Sequence, residues 1–399
     1  MRPDTNRHSL LPLLADRRPT WIEVDLDALA ANFRVVERAC RNRPVWAVVK
    51  ADAYGHGAVA CSRALEEAGA AGLVVALPEE GVALRRVGIT LPILLTGGLP
   101  SAGAALLLRE RLTASISTVE DLDCLVSAAR EADAPVDFHL ELDTGMTRLG
   151  LSPDHLPDFL ARLAQLPHLR LRAVMSHLAS VRRPDDAAAR RQLALFSRLV
   201  GEIRGLRGSG IQAHLASSPA ICSFPAAFCD QVRVGLLLYG VSPDPRLSPS
   251  LPLRPVLSFR TRSILFRTVQ AGCAVGYEGT WKPDTRTCIA IIGAGYADGL
   301  RREVSARADA LVGGRRAPYV GAVNMDLAQL DLGKEGELPG HLTVTMVGTD
   351  GADAISIAEL AERTGRTVYE WLTGFGARVP RIFLRGGRPT RIYTPLQGW

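Results

Sequence analysis

The segment Ala47-Val48-Val49-Lys50-Ala51-Asp52-Ala53-Tyr54-Gly55-His56-Gly57 puts an amine at the end of an apolar run and follows it with a turn of small residues. An amine with a depressed pKa can lose its proton, attack an aldehyde and form a Schiff base. The small turn would let backbone and the Tyr54 hydroxyl approach a phosphate. Lysine occurs only at Lys50, Lys282 and Lys334, and arginine fills the other cationic positions. A guanidinium stays protonated and does not form Schiff bases readily, so each lysine here needs a reason. A lysine at a strand end can simply snorkel to solvent. Its scarcity and the Tyr-Gly-His-Gly tail argue against that for Lys50.

Such an amine needs a frame. From Val45 to about Gly235, short aliphatic runs alternate with helical patterns, the signature of successive βα units around a parallel sheet. Eight strands are predicted, at 45–50, 72–77, 92–96, 113–117, 136–143, 171–177, 211–217 and 232–235. Helices are predicted between them, among them Thr118 to Arg130 and Pro184 to Ile203. Eight such pairs in so short a span fit a TIM (β/α)8 barrel better than an open doubly wound sheet, and place Lys50 at the C-terminal rim where barrel active sites lie. The run Pro243 to Pro255, with five prolines, reads as a linker. Beyond it, 257–269, 287–292, 317–323 and 342–347 look like strands, with one helix at 355–364. The expected fold class is therefore α/β: a TIM barrel over residues 20–250 with a second, mainly β C-terminal domain over 251–399, which the early strand near 21–26 could join.

Composition narrows the function. At 399 residues, 47% hydrophobic and 22% charged, the chain is globular in character, and its apolar runs are too short to cross a bilayer. The Arg-rich start, with the short patch Leu10 to Ala15 broken by Pro12, does not read as a signal peptide. Seven scattered cysteines lack metal-like spacing, so a cytoplasmic protein without a metal is expected. A net charge of +6 is spread along the chain with no basic run interleaved with aromatics, which points away from nucleic acid.

The Lys50 segment resembles the cofactor-binding motif of the alanine racemases, a family built from a TIM barrel and a C-terminal β domain. The likeness runs from Trp21-Ile22-Glu23-Val24-Asp25-Leu26-Asp27-Ala28-Leu29 to Arg378-Val379-Pro380-Arg381. It implies pyridoxal 5'-phosphate as cofactor, a small amino acid as substrate, and Lys50 as the residue that holds the cofactor. In Asp143-Thr144-Gly145-Met146-Thr147-Arg148-Leu149-Gly150, it makes Arg148 a partner of the cofactor's phenolic oxygen and of the substrate carboxylate. His177, in Ser176-His177, would orient and tune a catalytic tyrosine. Ser218, Gly235 and Leu236 would bind phosphate, with Tyr54 and Tyr239 completing the cofactor site. Arg233 would face the pyridine nitrogen, where it cannot accept that proton; the ring stays neutral and is a weaker electron sink, which suits racemisation over transamination.

Inverting a stereocentre with two bases requires a group on each face of a planar intermediate, and Lys50 is one. By resemblance Tyr296, in Gly293-Ala294-Gly295-Tyr296-Ala297-Asp298-Gly299, is the other, reaching in from a neighbouring subunit, its phenol activated by the cationic His177 to Arg233 chain. Met325, in Asn324-Met325-Asp326, would offer its N–H to the substrate carboxylate from that same subunit. The resemblance thus implies a homodimer with shared active sites.

Five positions depart from the family pattern, of which Asn324 and Ser217 have no account in the sequence. Glu141 stands where many members carry a lysine that becomes carbamylated and holds the arginine matching Arg148; a carboxylate there could substitute, although its side chain is roughly three atoms shorter. Ala322 and Ala377 replace an arginine and a tyrosine, which would widen the entrance. The expected function is interconversion of L- and D-alanine, the alternatives being a broad-specificity serine/alanine racemase, a decarboxylase of the same cofactor class, or a non-catalytic cofactor-binding protein.

Overall fold

The computed structural model describes residues 19–99, 103–181, 186–244, 251–333 and 341–394. They form two units: the described residues of Met1–Ala28, Gly55–Gly57 and Pro255–Trp399 in one, and Leu29–Tyr54 with Ala58–Arg254 in the other.

The first strand, β1 (Trp21–Asp25), belongs to the former unit, and the next eight form the barrel: β2 (Val45–Val48), β3 (Gly72–Val75), β4 (Ile93–Leu95), β5 (Leu112–Ile116), β6 (Val136–Glu141), β7 (Leu169–Met175), β8 (Gln212–His214) and β9 (Val232–Val234). All seven neighbour pairings run parallel in the order β8-β7-β6-β5-β4-β3-β2-β9. Closure is completed between β8 and β9 by a single bridge, His214 to Gln231. Sequences such as Val-Trp-Ala-Val and Gly-Leu-Val-Val are apolar throughout because a parallel strand is covered on both faces. Trp46, Val74, Leu94 and Met175 pack together inside. Gly72 makes room for that packing, since a Cβ there would lie 2.5 Å from the Trp46 ring.

Helices alternate with these strands and carry their own stop and start signals. Thr118 accepts the Asp121 N–H at 3.2 Å and opens Val119–Ala132. Asp186 accepts the N–H groups of Ala188 and Ala189 and opens Ala187–Arg207, which ends at Gly208 with φ +102°. The eight strands fall where the alternating pattern places them, but several end earlier. The first stops at Val48, so Lys50 lies beyond the strand, not at its last position. The proline-rich 245–250 lies outside the described residues.

The other unit is mainly β. Its long strand β10 (Leu257–Val269) alternates buried and half-buried side chains over its first half, and a register shift between Ser263 and Leu265 divides it. The first half pairs with β1 and with β15 (Thr343–Asp350), the second with β11 (Thr287–Ile292); β12 (Asp309–Val312), β13 (Arg315–Pro318), β14 (Ala328–Gly333) and β16 (Asp353–Ile355) are further short strands of this unit. β1 is also parallel to β17 (Arg381–Arg385), which hairpins to β18 (Arg388–Tyr393). Two helices, Ile357–Thr364 and Val368–Thr373, stand where the sequence suggested one. The expected strand at 317–323 is realised only as Arg315–Pro318 followed by loop. Among the described residues no helix is long and apolar enough to cross a membrane.

Candidate active site

Past the end of β2 the chain enters a left-handed turn: Ala51, Asp52 and Ala53 have φ 53–54° and Tyr54 φ 51°. Left-handed backbone costs an L-residue roughly 1–2 kcal/mol, so four in succession require external support. Glu80 supplies some, accepting the Ala51 N–H at 2.6 Å through Oε1 and the Ala76 and Leu77 N–H groups through Oε2. Asp52 accepts the Ala58 N–H at 2.7 Å. The turn leaves Lys50 half-buried, and its amine is pushed below the usual lysine range, first by burial and then by the positive charge of Arg148, with Arg233 adding to it. These surroundings favour the deprotonated amine.

A set of hydrogen-bond donors lies nearby on the same barrel. Gly235 follows β9, and a Cβ on it would come within 2.6 Å of the Tyr54 phenolic oxygen, so only glycine lets that hydroxyl lie against the chain. Ser218 accepts the Gly235 N–H at 3.3 Å and the Leu237 N–H at 3.5 Å. Leu236 opens the short turn Leu236–Tyr239, whose first N–H groups have no partner within the turn. Tyr239 is fully buried, donates its hydroxyl to the Val48 carbonyl at 2.8 Å and packs edge-on against Tyr54 with ring centroids 5.1 Å apart.

Arg233 is buried at the centre of a polar chain. Its Nη1 donates to His214 Nδ1 and to the His214 carbonyl, both at 2.8 Å, and Nη2 donates to the Ser176 carbonyl at 2.6 Å. Beyond it, His214 Nε2 lies 3.1 Å from His139 Nδ1. Burial is the main cause that pushes Arg233 down to about 10, still cationic at neutral pH, and His139 down to about 3. His177 is likewise pushed to about 3 by burial and then by Arg233, Arg148 and Lys50. The histidine bonded to Arg233 is thus His214, and His177 forms no hydrogen bond to it.

Arg148 is exposed, on a loop whose backbone is tied down by Asp143: its Oδ1 accepts the N–H groups of Gly145, Met146 and Thr147 at 2.9–3.1 Å. Glu141 is buried, with the Ser115 hydroxyl 3.4 Å from Oε2, and burial raises its pKa against the pull of Arg233 and Arg148. Glu141 and Arg148 do not touch as an ion pair.

In the β unit, Tyr296 opens a tight turn through Asp298 and is 47% exposed, while Met325 is 53% exposed. Their loops are laced together: Tyr296 N–H donates to the Asn324 carbonyl and Ala297 N–H to the Met325 carbonyl, each at 3.0 Å. Gly295 permits this approach, since a Cβ there would lie 2.3 Å from the Met325 carbonyl oxygen. The Met325 N–H itself has no acceptor among the described residues.

Comparison with known proteins settles the kinship. The alanine racemase N-terminal domain family matches residues 24–243, and the C-terminal domain family matches 256–383. This chain belongs to the alanine racemase family. An alanine racemase of Sorangium cellulosum is 39% identical over 380 residues, which cover 92% of this chain and 99% of that protein. The crystal structure of the Bacillus anthracis alanine racemase with bound L-Ala-P matches with a TM-score of 0.88 and 33% identity, over 95% of this chain and 98% of that one. The enzyme from the D-cycloserine producer Streptomyces lavendulae matches with a TM-score of 0.87 and 34% identity, over 92% and 98%. Alanine racemases are generally pyridoxal phosphate-dependent isomerases. Within this racemase fold, sequence reasoning missed Glu80, His139 and His214. Glu80, three residues after Leu77 at the start of the next helix, was legible as a cap; the histidines were not, because nothing in their spacing tells which strand neighbours they meet.

Proposed function

We propose that this chain racemises alanine with pyridoxal 5'-phosphate, using Lys50 of one protomer and Tyr296 of the partner subunit as the two bases of a homodimer. The observation that carries this reading is the Lys50 amine, held below its usual pKa beside cations and a ring of hydrogen-bond donors on one barrel rim. The residues fit the cofactor. The N–H groups of Gly235 and Leu236, the Ser218 hydroxyl and the Tyr54 hydroxyl suit a phosphate, and a Cβ at Gly235 would push the Tyr54 hydroxyl out of that group. Lys50 is the group to hold the aldehyde, and Arg148 suits the phenolic oxygen and the substrate carboxylate. Arg233 uses three of its N–H groups on His214 and Ser176, leaving two of its five for the pyridine nitrogen.

Bound there, pyridoxal phosphate withdraws electrons from the Cα of an attached amino acid and acidifies its Cα–H. Lys50 and Tyr296 of the partner subunit then divide the proton work: one removes the Cα proton, and the other, in its protonated form, delivers a proton to the opposite face. Run backwards, the two exchange duties, so one site serves both enantiomers. Met325 of the partner subunit offers an unused N–H to the carboxylate. The exposure of Tyr296 and Met325 supports their donation to another chain, since both side chains stand clear of their own unit. A small exposed residue at Ala377 favours a second reading in breadth, acceptance of serine as well as alanine, whereas Ala322 is buried.

Incubation of the purified protein with L-alanine in deuterated water is the test. Deuterium at Cα together with D-alanine supports the reading; carbon dioxide would indicate a decarboxylase, and neither product a cofactor carrier. An absorbance band at about 420 nm should accompany cofactor loading.

A further inference from the structure

An exposed side chain is placed only as well as the backbone beneath it. Under Tyr296 and Met325 that backbone is two loops, 293–299 and 324–326, and a third segment, 376–378, crosses both. The Arg378 guanidinium reaches all of them. Nε donates to Asp298 Oδ1 at 2.8 Å and Nη2 to Asp298 Oδ2 at 3.0 Å, a bidentate pair. Nη2 also meets Asp326 Oδ1 at 2.7 Å and the Met325 carbonyl at 3.3 Å. Asp298 is buried and passes the constraint on: Oδ2 accepts the Gly295 N–H at 3.0 Å, and its carbonyl accepts the Gly376 N–H at 3.1 Å. One planar fork thereby fixes the residue before Tyr296, the carbonyl of Met325 and the segment that carries Arg378 itself.

We propose that Arg378 is a positioning residue, acting through Asp298 and Met325 to set where the Tyr296 phenol and the Met325 N–H are presented. The inference rests on the reading of Tyr296 and Met325 given above and adds a residue to it. A lysine is a point charge that cannot reproduce the two parallel bonds to Asp298 while also meeting Asp326. The Arg378→Lys variant keeps the charge and removes the geometry.

The experiment uses the cofactor-loaded Arg378→Lys protein with four readouts: backbone amide exchange, the absorbance band, the thermal midpoint, and Cα deuterium exchange from each enantiomer separately. The Tyr296 and Ala297 amides should exchange on the order of tenfold faster, because their bonds to Asn324 and Met325 are the ones the clamp holds. The absorbance band should be kept, since the residues proposed to bind the cofactor lie in the barrel. Cα exchange should fall on the order of tenfold more for one enantiomer than for the other, because only one face uses the phenol. Equal loss from both enantiomers with a lowered thermal midpoint, or no loss from either, overturns the proposal. A parallel Tyr296→Phe separates the failures: unchanged exchange there overturns the two-base reading and the clamp together. A face-selective loss in Tyr296→Phe without one in Arg378→Lys overturns the clamp alone. Should Arg378→Lys not fold, Asp326→Asn removes the more exposed end of the bridge, and the same face-selective loss, smaller in size, is expected of it.

Discussion

The barrel rim around Lys50 and the loops around Tyr296 contrast in how they treat their functional groups. On the barrel, Arg233, His214, His139 and Glu141 are buried and mostly bonded to one another, and the low-dielectric setting shifts their proton affinities and that of the Lys50 amine. In the β unit the hydrogen bonding is used beneath the surface, in the lacing of Gly295, Asp298, Asn324 and Arg378, while Tyr296 and Met325 project outward. On the proposed reading, the first arrangement is a holder for the cofactor. The second is then a mount for groups that act elsewhere. The contrast fits the proposed reading of two chains per site, in which a phenol left exposed on its own unit acts on another protomer.

The largest effect should come from the barrel side. Lys50→Ala should lower racemisation by on the order of 10³-fold or more and abolish the absorbance band, whereas Tyr296→Phe, on the mount, should cost less, on the order of 10²–10³-fold, while the band remains. Loss of the band in both variants would erase the distinction between holder and mount.

Acid should weaken the holder next. His139 and His177 have folded pKa values of about 3, below the usual value of about 6.5 for a free histidine. The unfolded chain therefore binds more protons between those values, so the stability is complete above pH 6.5 and is lost as pH falls toward 3. Each buried histidine should lower the unfolding free energy by about 1.4 kcal/mol per pH unit in that window, measured by denaturant titration. Glu141 has the opposite sign: its raised pKa means that the folded state holds the extra proton, so its contribution is greatest in acid and offsets part of the loss. A stability that is flat from pH 7 to 5 would contradict the neutral buried histidines.

Smaller effects sharpen the picture. Ser218→Ala should weaken cofactor binding by about tenfold, the loss of one charged hydrogen bond, with turnover at saturating cofactor nearly unchanged. Glu141→Gln should raise the KM for alanine severalfold, acting through the charge felt by Arg148; an unchanged KM and turnover would remove Glu141 from the site. The least change is expected of Ala377→Tyr, which should reduce activity on serine relative to alanine by about threefold by refilling the entrance.

Much of this was legible in the sequence because the barrel strands announce themselves. Runs such as Gly72–Val75 and Ile93–Leu95 are apolar on both faces and spaced by helix-length segments, and the scarcity of lysine singled out Lys50. The left-handed turn was hidden because Ala-Asp-Ala-Tyr carries no glycine until Gly55, and its support comes from Glu80, a partner distant in sequence. The short strands Asp309–Val312 and Ala328–Gly333 were missed because they are held by long-range pairing to β15 and β11 and have little pattern of their own. The His214–His139 chain and the Arg378 clamp depend on which side chains meet across strands and loops, which periodicity does not encode.

The central claim is that the two bases of each site come from different protomers, and complementation tests it most directly. Lys50→Ala and Tyr296→Phe chains, each inactive alone, should be co-expressed with distinct tags and the mixed dimers isolated with the parental ones. One of the two sites in every mixed dimer then contains both an intact amine and an intact phenol, so a statistical population should recover about a quarter of the unaltered activity. Activity that stays at the level of the separate variants would contradict the account.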